Sequence, residues 1–181
     1  MYKNQKLHWL IGLFVLLGMA LAQTSTPQPS PAALRGVDAV RAMELANAWG
    51  IQGAPVQSFV TPQAVHFSFA DGQKLQVALP ADRMVVSIAP YITRTHPCKT
   101  HYMSSCRGEL VLTPVQVVAT NQEGRVVFRG TVRTLENGFM DLWLPRNQTY
   151  QIRLEAGGRS VSGQISTFND SDTCITTLQL R

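Results

Sequence analysis

Apolar residues recur at helical spacing after the polar segment at residues 23–34. Four of them lie three or four positions apart, on one face of a helix: Ala39, Met43, Ala46 and Trp49. This pattern predicts a helix over residues 36–49, with Gly50 as its C-terminal stop.

Beyond that helix the apolar residues alternate with polar ones, which is the period of a strand with one buried face. Residues 64–69 alternate in this way, Asp71-Gly72 has the composition of a hairpin turn, and residues 74–79 alternate again. A third short strand is predicted over residues 84–89. Residues 35–90 are therefore predicted to form a small α+β domain, with one helix on a few antiparallel strands.

From residue 109 onward the chain is rich in strand patterns separated by turn residues. Six runs carry the pattern: 109–119, 125–133, 139–144, 150–154, 160–167 and 173–180. Short strands at regular spacing predict a sandwich of two antiparallel sheets. The predicted fold is therefore mainly β, with the small α+β domain followed by an Ig-like or transthyretin-like sandwich over residues 91–181.

The first 22 residues have the features of a secretion signal. Lys3 and Lys6 precede a nearly continuous apolar run over residues 7–19, and Ala20-Leu21-Ala22 fits a cleavage site. The run is too short for a membrane anchor, and no stop-transfer charges follow it. We therefore expect export and no membrane attachment after cleavage, with residues 23–34 as a polar, Pro-rich flexible tether.

Cleavage changes how the charge and the cysteines are interpreted. It leaves 159 residues and lowers the formal net charge from +5 to +3, because it removes two lysines and no acids. The remaining basic residues are scattered, which argues against a nucleic-acid partner. Disulfides persist in an oxidising compartment, but three cysteines cannot all pair within one chain.

The candidate chemistry is concentrated in residues 95–106. Four metal-ligand side chains lie within eleven residues: His96, Cys98, His101 and Cys106. An extended backbone points residues two apart to the same side, so the first imidazole and the first thiol face one point. Cys174 adds a third sulfur if its strand lies beside this stretch.

These ligand types favour copper or zinc. An iron–sulfur cluster usually takes four cysteines, and the chain has three. Three cysteines and one histidine would satisfy structural zinc, but their spacing is not that of a zinc finger. Cu(I) is satisfied by two or three soft ligands, and Met103 offers a further thioether. We therefore expect a Cu(I) site, with zinc as a substitute.

A structural disulfide is the main alternative to a metal site. Cys98 or Cys106 could pair with Cys174 and close a long loop, which would stabilise the fold by roughly 4 kcal/mol. A redox-active pair would reconcile the two interpretations, because oxidation removes thiolate ligands and reduction restores them. The sequence lacks a G-x-S-x-G context and a Cys-x-x-Cys beside a βαβ unit, so we expect no enzyme activity.

Three blocks of the sequence resemble the CueP family of periplasmic copper-binding proteins. The first holds Thr95-His96-Pro97-Cys98, His101 and residues 104–109; the second is residues 138–146, and the third is residues 174–180. The resemblance covers most of residues 35–181. It implies a periplasmic protein that serves copper resistance and passes copper to a superoxide dismutase.

The resemblance also implies which residues bind copper. Cys98, Cys106 and Cys174 would be the functional cysteines, with His96 and His101 contributing. A two-domain subunit that forms a homodimer through its N-terminal domain is a further implication.

Two main functions stay open from the sequence. The first is a Cu(I) buffer or chaperone, and the second is a thiol-based redox protein that reduces metal ions or exchanges disulfides with a thiol reductant. A structural or adhesive sandwich held by one disulfide is a third. When the protein is oxidised we expect Cys106 to pair with Cys174, because His96 and His101 are close neighbours of Cys98.

Overall fold

The computed structural model of the protein describes residues 26–181, so the predicted secretion signal lies outside the described residues. Pro31–Leu34 form a 3-10 turn in which Leu34 is buried. The Trp49 indole N–H donates to the carbonyl of Pro27 at 2.7 Å. The described part of the predicted tether therefore contacts the helix that follows it.

Helix α1 spans Ala39–Ile51, and the Asp38 side chain caps its start by accepting from the Arg41 N–H at 2.8 Å. The prediction that Gly50 stops the helix is wrong, because the helix continues through it to Ile51. A Cβ at position 50 would lie 2.6 Å from the carbonyl carbon of Met103, and closer still to its oxygen. Glycine here allows residues 95–106, here called the ligand-rich stretch, to pack against the helix.

Ten strands follow α1 and form three sheets. In chain order they are β1 Val56–Val60, β2 Ala64–Phe69, β3 Lys74–Ala78, β4 Arg83–Ile88, β5 Pro114–Asn121, β6 Val126–Arg133, β7 Met140–Pro145, β8 Thr149–Ala156, β9 Arg159–Ser166 and β10 Cys174–Ile175. The sheet orders are β1-β2-β3, β10-β4-β7 and β6-β5-β8-β9.

The first sheet is antiparallel and packs against α1. Strands β2 and β3 confirm the predicted hairpin, with Ala64 opposite Ala78. Trp49 packs edge-on against Phe67 and Phe69, with ring centroids 5.8 and 6.4 Å apart. The helix is held to this sheet by the burial of these aromatic rings.

The second sheet determines where Cys174 lies. Strand β4 pairs antiparallel with β7, which places Ser87 opposite Asp141, and parallel with the short β10, which places Ser87 opposite Cys174. The Ala89 N–H then donates to the Ile175 carbonyl at 2.9 Å. The parallel pairing brings a residue from the end of the chain to the end of β4.

A buried polar network joins α1 to this second sheet. The Asp141 carboxylate accepts from Ser87 Oγ at 2.5 Å and from Asn47 Nδ2 at 2.8 Å. Asn137 Nδ2 donates to the Asn47 amide oxygen at 3.2 Å. Burial raises the pKa of Asp141, and the two donors oppose that rise.

The third sheet is antiparallel throughout and supplies one wall of the hydrophobic core. Its central strands alternate, with Val115, Val117 and Ala119 of β5 and Ile152 and Leu154 of β8 buried. Their neighbours along each strand are more exposed. These residues belong to one core cluster that also includes Trp49 and most of the buried residues of β2, β4 and β7.

The predicted mainly β fold, with one short helix before antiparallel sheets, is confirmed. The predicted last strand over residues 173–180 is wrong, because only Cys174–Ile175 form a strand and the Leu180 N–H donates instead to the Tyr91 carbonyl. The division into domains at residue 90 stays a prediction, and β4 shares a sheet with β7 and β10. Within residues 26–181, every helix is too short or too polar to cross a bilayer.

Candidate metal centre

The Glu109 carboxylate holds together the segments that precede and follow the ligand-rich stretch. The Glu109 carboxylate accepts from the backbone N–H groups of Ile92, Thr93 and Arg94 at 2.7, 2.9 and 3.2 Å, and also from the Thr93 hydroxyl. The Thr93 hydroxyl, followed by the backbone donors, lowers the pKa of Glu109 to about 2. The segment before the ligands is thereby held against the segment after them.

The C-terminal segment fixes the first half of the stretch. The Thr95 hydroxyl donates to the Thr176 carbonyl at 2.6 Å, and the Thr176 hydroxyl donates to the His96 carbonyl at 2.7 Å. The Cys174 N–H donates to the Lys99 carbonyl at 3.0 Å. These bonds align residues 95–99 with β10 and place Cys174 beside Cys98.

His101 is held by its backbone at the end of β1. The Val60 N–H donates to the His101 carbonyl at 2.9 Å, and the His101 N–H donates to the Thr173 hydroxyl at 3.1 Å. That hydroxyl in turn donates to the Val60 carbonyl at 2.7 Å. Two other chain segments therefore fix the position of this residue without using its side chain.

The imidazole of His101 is fully buried, and neither of its ring nitrogens has a hydrogen-bond partner. Its ring lies 4.2 Å from the ring of Phe139, centroid to centroid. Burial, followed by the charges of His96 and Arg107, lowers the pKa of His101 to about 3. The ring is therefore neutral near pH 7, with an unprotonated nitrogen available to a metal. Because buried polar atoms are nearly always bonded, an ion is a fitting partner for one of these nitrogens.

Cys106 lies on a tight turn that follows His101. The Cys106 N–H donates to the Tyr102 carbonyl at 2.8 Å, and the Tyr102 N–H lies 3.4 Å from the Cys106 sulfur, to which it donates. Burial raises the pKa of the Cys106 thiol, against the lowering effects of the Tyr102 N–H and the Arg107 charge. A metal ion would have to displace the thiol proton.

The end of this turn packs against the loop before β7. The Gly108 N–H donates to the Asn137 carbonyl at 2.7 Å, and a Cβ on Gly108 would lie 2.5 Å from the Gly138 carbonyl oxygen. This close approach of two backbones brings Cys106 into a small buried cluster with Phe139, which is itself fully buried.

Cys98 and Cys174 form a disulfide, with their Cα atoms 5.6 Å apart. The expectation that Cys106 would pair with Cys174 is therefore wrong. The reason is that the backbone bond from Cys174 to Lys99 places Cys174 next to Cys98. Cys106 is held instead by its hydrogen bonds with Tyr102, four residues before it in the chain. Cys106 remains a free thiol, and its sulfur lies 3.6 Å from that of Cys98.

The structure brings all five predicted site residues together. Among residues 26–181, their ligand atoms form two overlapping groups, within each of which the atoms lie no more than 4.8 Å apart. One group is His96, Cys98 and Cys106, and the other is His101, Cys106 and Cys174. Soft sulfurs with neutral imidazole are the ligand set that copper or zinc would take, so the residues fit such an ion.

Two further side chains, those of Met103 and His66, lie outside these groups. Met103 is fully buried in the main core cluster, whereas the three cysteines belong to a separate small cluster. His66 stacks on Phe59, with ring centroids 4.6 Å apart, and its Nε2 lies 3.1 Å from the Thr61 hydroxyl. Met103 is therefore a core residue, and the His66 ring is positioned by Phe59 and Thr61.

Phe139, which has no predicted role from the sequence pattern, lines the site. Its ring centroid lies 6.4 Å from that of His96 as well as 4.2 Å from that of His101, so it contacts both imidazoles. The one signal was its place in the second family block, directly after Gly138. Its distance of 38 residues from His101 gave no indication of contact.

A family profile and a solved structure are both similar to this chain. The family profile described as periplasmic copper-binding protein CueP matches residues 39–179. The crystal structure of S.CueP is similar, with a TM-score of 0.75 and 31% sequence identity over 82% of this chain and 92% of that chain. No curated relative matches the chain. The chain therefore belongs to the CueP family of periplasmic copper-binding proteins.

Proposed function

We propose that this protein is a Cu(I) buffer or chaperone of the periplasm, not an enzyme, and that it contributes to copper resistance. The observation that supports this most directly is His101, whose neutral ring lies fully buried, without a hydrogen-bond partner, beside the sulfurs of Cys106 and Cys174. Leaving the polar atoms of a buried imidazole unbonded costs free energy, which binding of an ion to one nitrogen would offset.

The ligand chemistry favours Cu(I) over zinc as the cargo. Each of the two ligand groups offers two sulfurs and one imidazole, and neither contains a carboxylate. Soft thiolates select Cu(I), which is satisfied by two or three ligands, whereas structural zinc takes four in a tetrahedral array. Zinc would therefore bind more weakly, as a substitute.

The disulfide makes copper binding depend on redox state. With Cys98 and Cys174 joined, each ligand group lacks one of its thiolates. Reduction by two thiols of a reductant would yield two cysteine thiols and one reductant disulfide. An open cleft of about 530 Å³ is lined by Cys98 and Cys174, with Phe168 at its side, and could admit such a reductant. A periplasmic superoxide dismutase as copper recipient, and a homodimer, are part of the same proposal.

The test is competition for Cu(I) between the reduced protein, purified without chelators, and a chromogenic Cu(I) chelator. We expect the wild-type protein to withdraw one Cu(I) per chain. Because it removes a ligand, His101→Leu should lower the affinity by at least a hundredfold. His66→Ala is the matched control, since this histidine lies outside both groups, and it should change nothing. If reduced wild-type protein cannot compete, the copper proposal is refuted.

One contact supports a redox function as a second candidate. The free Cys106 sulfur lies 3.6 Å from Cys98, so a Cys106 thiolate could attack that sulfur and release Cys174 as a thiolate. The raised pKa of Cys106 opposes this, because only the thiolate is nucleophilic. Thiol turnover with a reductant in the absence of copper, abolished by Cys106→Ser, would favour the redox function.

A further inference from the structure

The two ligand groups differ in how far they are buried, although they share one residue. His96, Cys98 and Cys106, here called the outer triad, are all partly exposed. In the inner triad of His101, Cys106 and Cys174, the residues His101 and Cys174 are buried, although Cys174 borders the cleft described above. The five ligand atoms thus form two positions for an ion at different depths.

The outer triad faces solvent through its imidazole. His96 lines an open cavity of about 250 Å³ together with Arg94 and Arg107. His101 lies instead beneath Phe139, with no exposed surface. An ion delivered from solution through this cavity would meet the outer triad first.

Cys106 connects the two positions. Its sulfur lies 3.6 Å from that of Cys98, so one ion with metal–sulfur bonds of about 2.3 Å can contact both. It also lies within 4.8 Å of the Cys174 sulfur and of a His101 nitrogen. An ion bound to Cys106 can therefore exchange its other ligands one at a time without returning to water.

The disulfide blocks both positions at once. It takes Cys98 from the outer triad and Cys174 from the inner one, and it leaves Cys106 as the only thiol. One two-electron reduction by a thiol reductant completes both triads together. Reduction of the one disulfide therefore makes both positions available to an ion.

We propose, on the basis of the proposed Cu(I) function, that the outer triad receives the ion and that the inner triad stores it. In the transfer, bonds from Cu(I) to His101 and Cys174 form while those to His96 and Cys98 break. The proton released by the Cys174 thiol is taken up by the Cys98 thiolate, and the copper stays Cu(I). Cys106 stays bound throughout.

The experiment measures the rates of Cu(I) loading and unloading separately from the equilibrium affinity. It uses reduced protein, and a chromogenic chelator either donates Cu(I) to the protein or accepts Cu(I) from it. His96→Ala should slow loading and unloading by the same factor of about tenfold or more, and change the equilibrium affinity by less than about threefold. His101→Leu should instead lower the affinity by at least a hundredfold through faster unloading. His66→Ala should change neither rate.

The result for His96→Ala decides the proposal even if a His101 variant fails to fold. A loss of affinity of more than about threefold for His96→Ala would mean a single site with both imidazoles bound, and would overturn the proposal. Unchanged rates in His96→Ala would overturn it too. If wild-type protein fails to take Cu(I) at all, the proposed function itself fails, which is a separate outcome.

Discussion

Substituting Gly50 by alanine sets two physical effects against each other. Alanine is better than glycine in a helix interior by about 0.8–1 kcal/mol, so propensity alone predicts that Gly50→Ala stabilises α1. However, the new Cβ would lie 2.6 Å from the Met103 carbonyl carbon and 3.1 Å from the Ser104 nitrogen, where ordinary contacts begin at 3.4 Å. The backbone of the ligand-rich stretch would have to move by roughly 1 Å, against a close-packed interior.

The cost of the displaced backbone should exceed the gain in propensity. Overpacking a well-packed interior costs about 1–3 kcal/mol, and more where backbone has to move. We expect a net loss of about 1–2 kcal/mol for Gly50→Ala. For a chain of this size, that corresponds to a fall in melting temperature of roughly 2–8 °C.

Copper affinity should fall with stability, because Met103 lies between His101 and Cys106 in the sequence. Thermal unfolding of the reduced protein and Cu(I) competition would measure the two effects. Gly130→Ala is the matched control, since its Cβ would lie 3.6 Å from the Phe128 ring, an ordinary contact. A Gly50→Ala protein that melts above the wild type and binds Cu(I) normally would refute the packing argument.

Three further predictions concern the bonds that support the site. Glu109→Gln should melt below the wild type at pH 7, and the difference in melting temperature should vanish as the pH falls from about 4 to about 2. The sign follows because a lowered pKa contributes stability above the pKa of the unfolded chain and loses it near the folded value of about 2. Reducing the Cys98–Cys174 disulfide, which joins residues 76 apart, should lower the free energy of unfolding in urea by about 4.5 kcal/mol, and equal stability of the two forms would contradict this. Asn47→Ala should cost about 1–3 kcal/mol in the same assay, because it leaves the buried Asp141 with one donor fewer. Arg41→Ala, which removes an exposed ion pair with Glu44, is its control and should cost no more than about 0.5 kcal/mol.

Local pattern was enough to predict most elements and to single out the candidate ligand residues. The hairpin at residues 64–79 follows from alternation and an Asp-Gly turn, both of which act between near neighbours. The concentration of His96, Cys98, His101 and Cys106 in one stretch is likewise visible in the sequence. Side-chain chemistry then limits the ion to a soft metal.

Only the tertiary structure decided how Cys174 joins these ligands. Its place depends on parallel pairing with β4 and on one backbone bond to Lys99, between residues 75 positions apart in the chain. Sequence neighbours favoured the wrong disulfide, because a contact between distant segments has no periodic signal. Gly50 was wrongly predicted to stop the helix, and the buried Phe139 was given no role, for the same reason. Each meets the ligand-rich stretch through packing across the fold, and packing depends on shape in three dimensions.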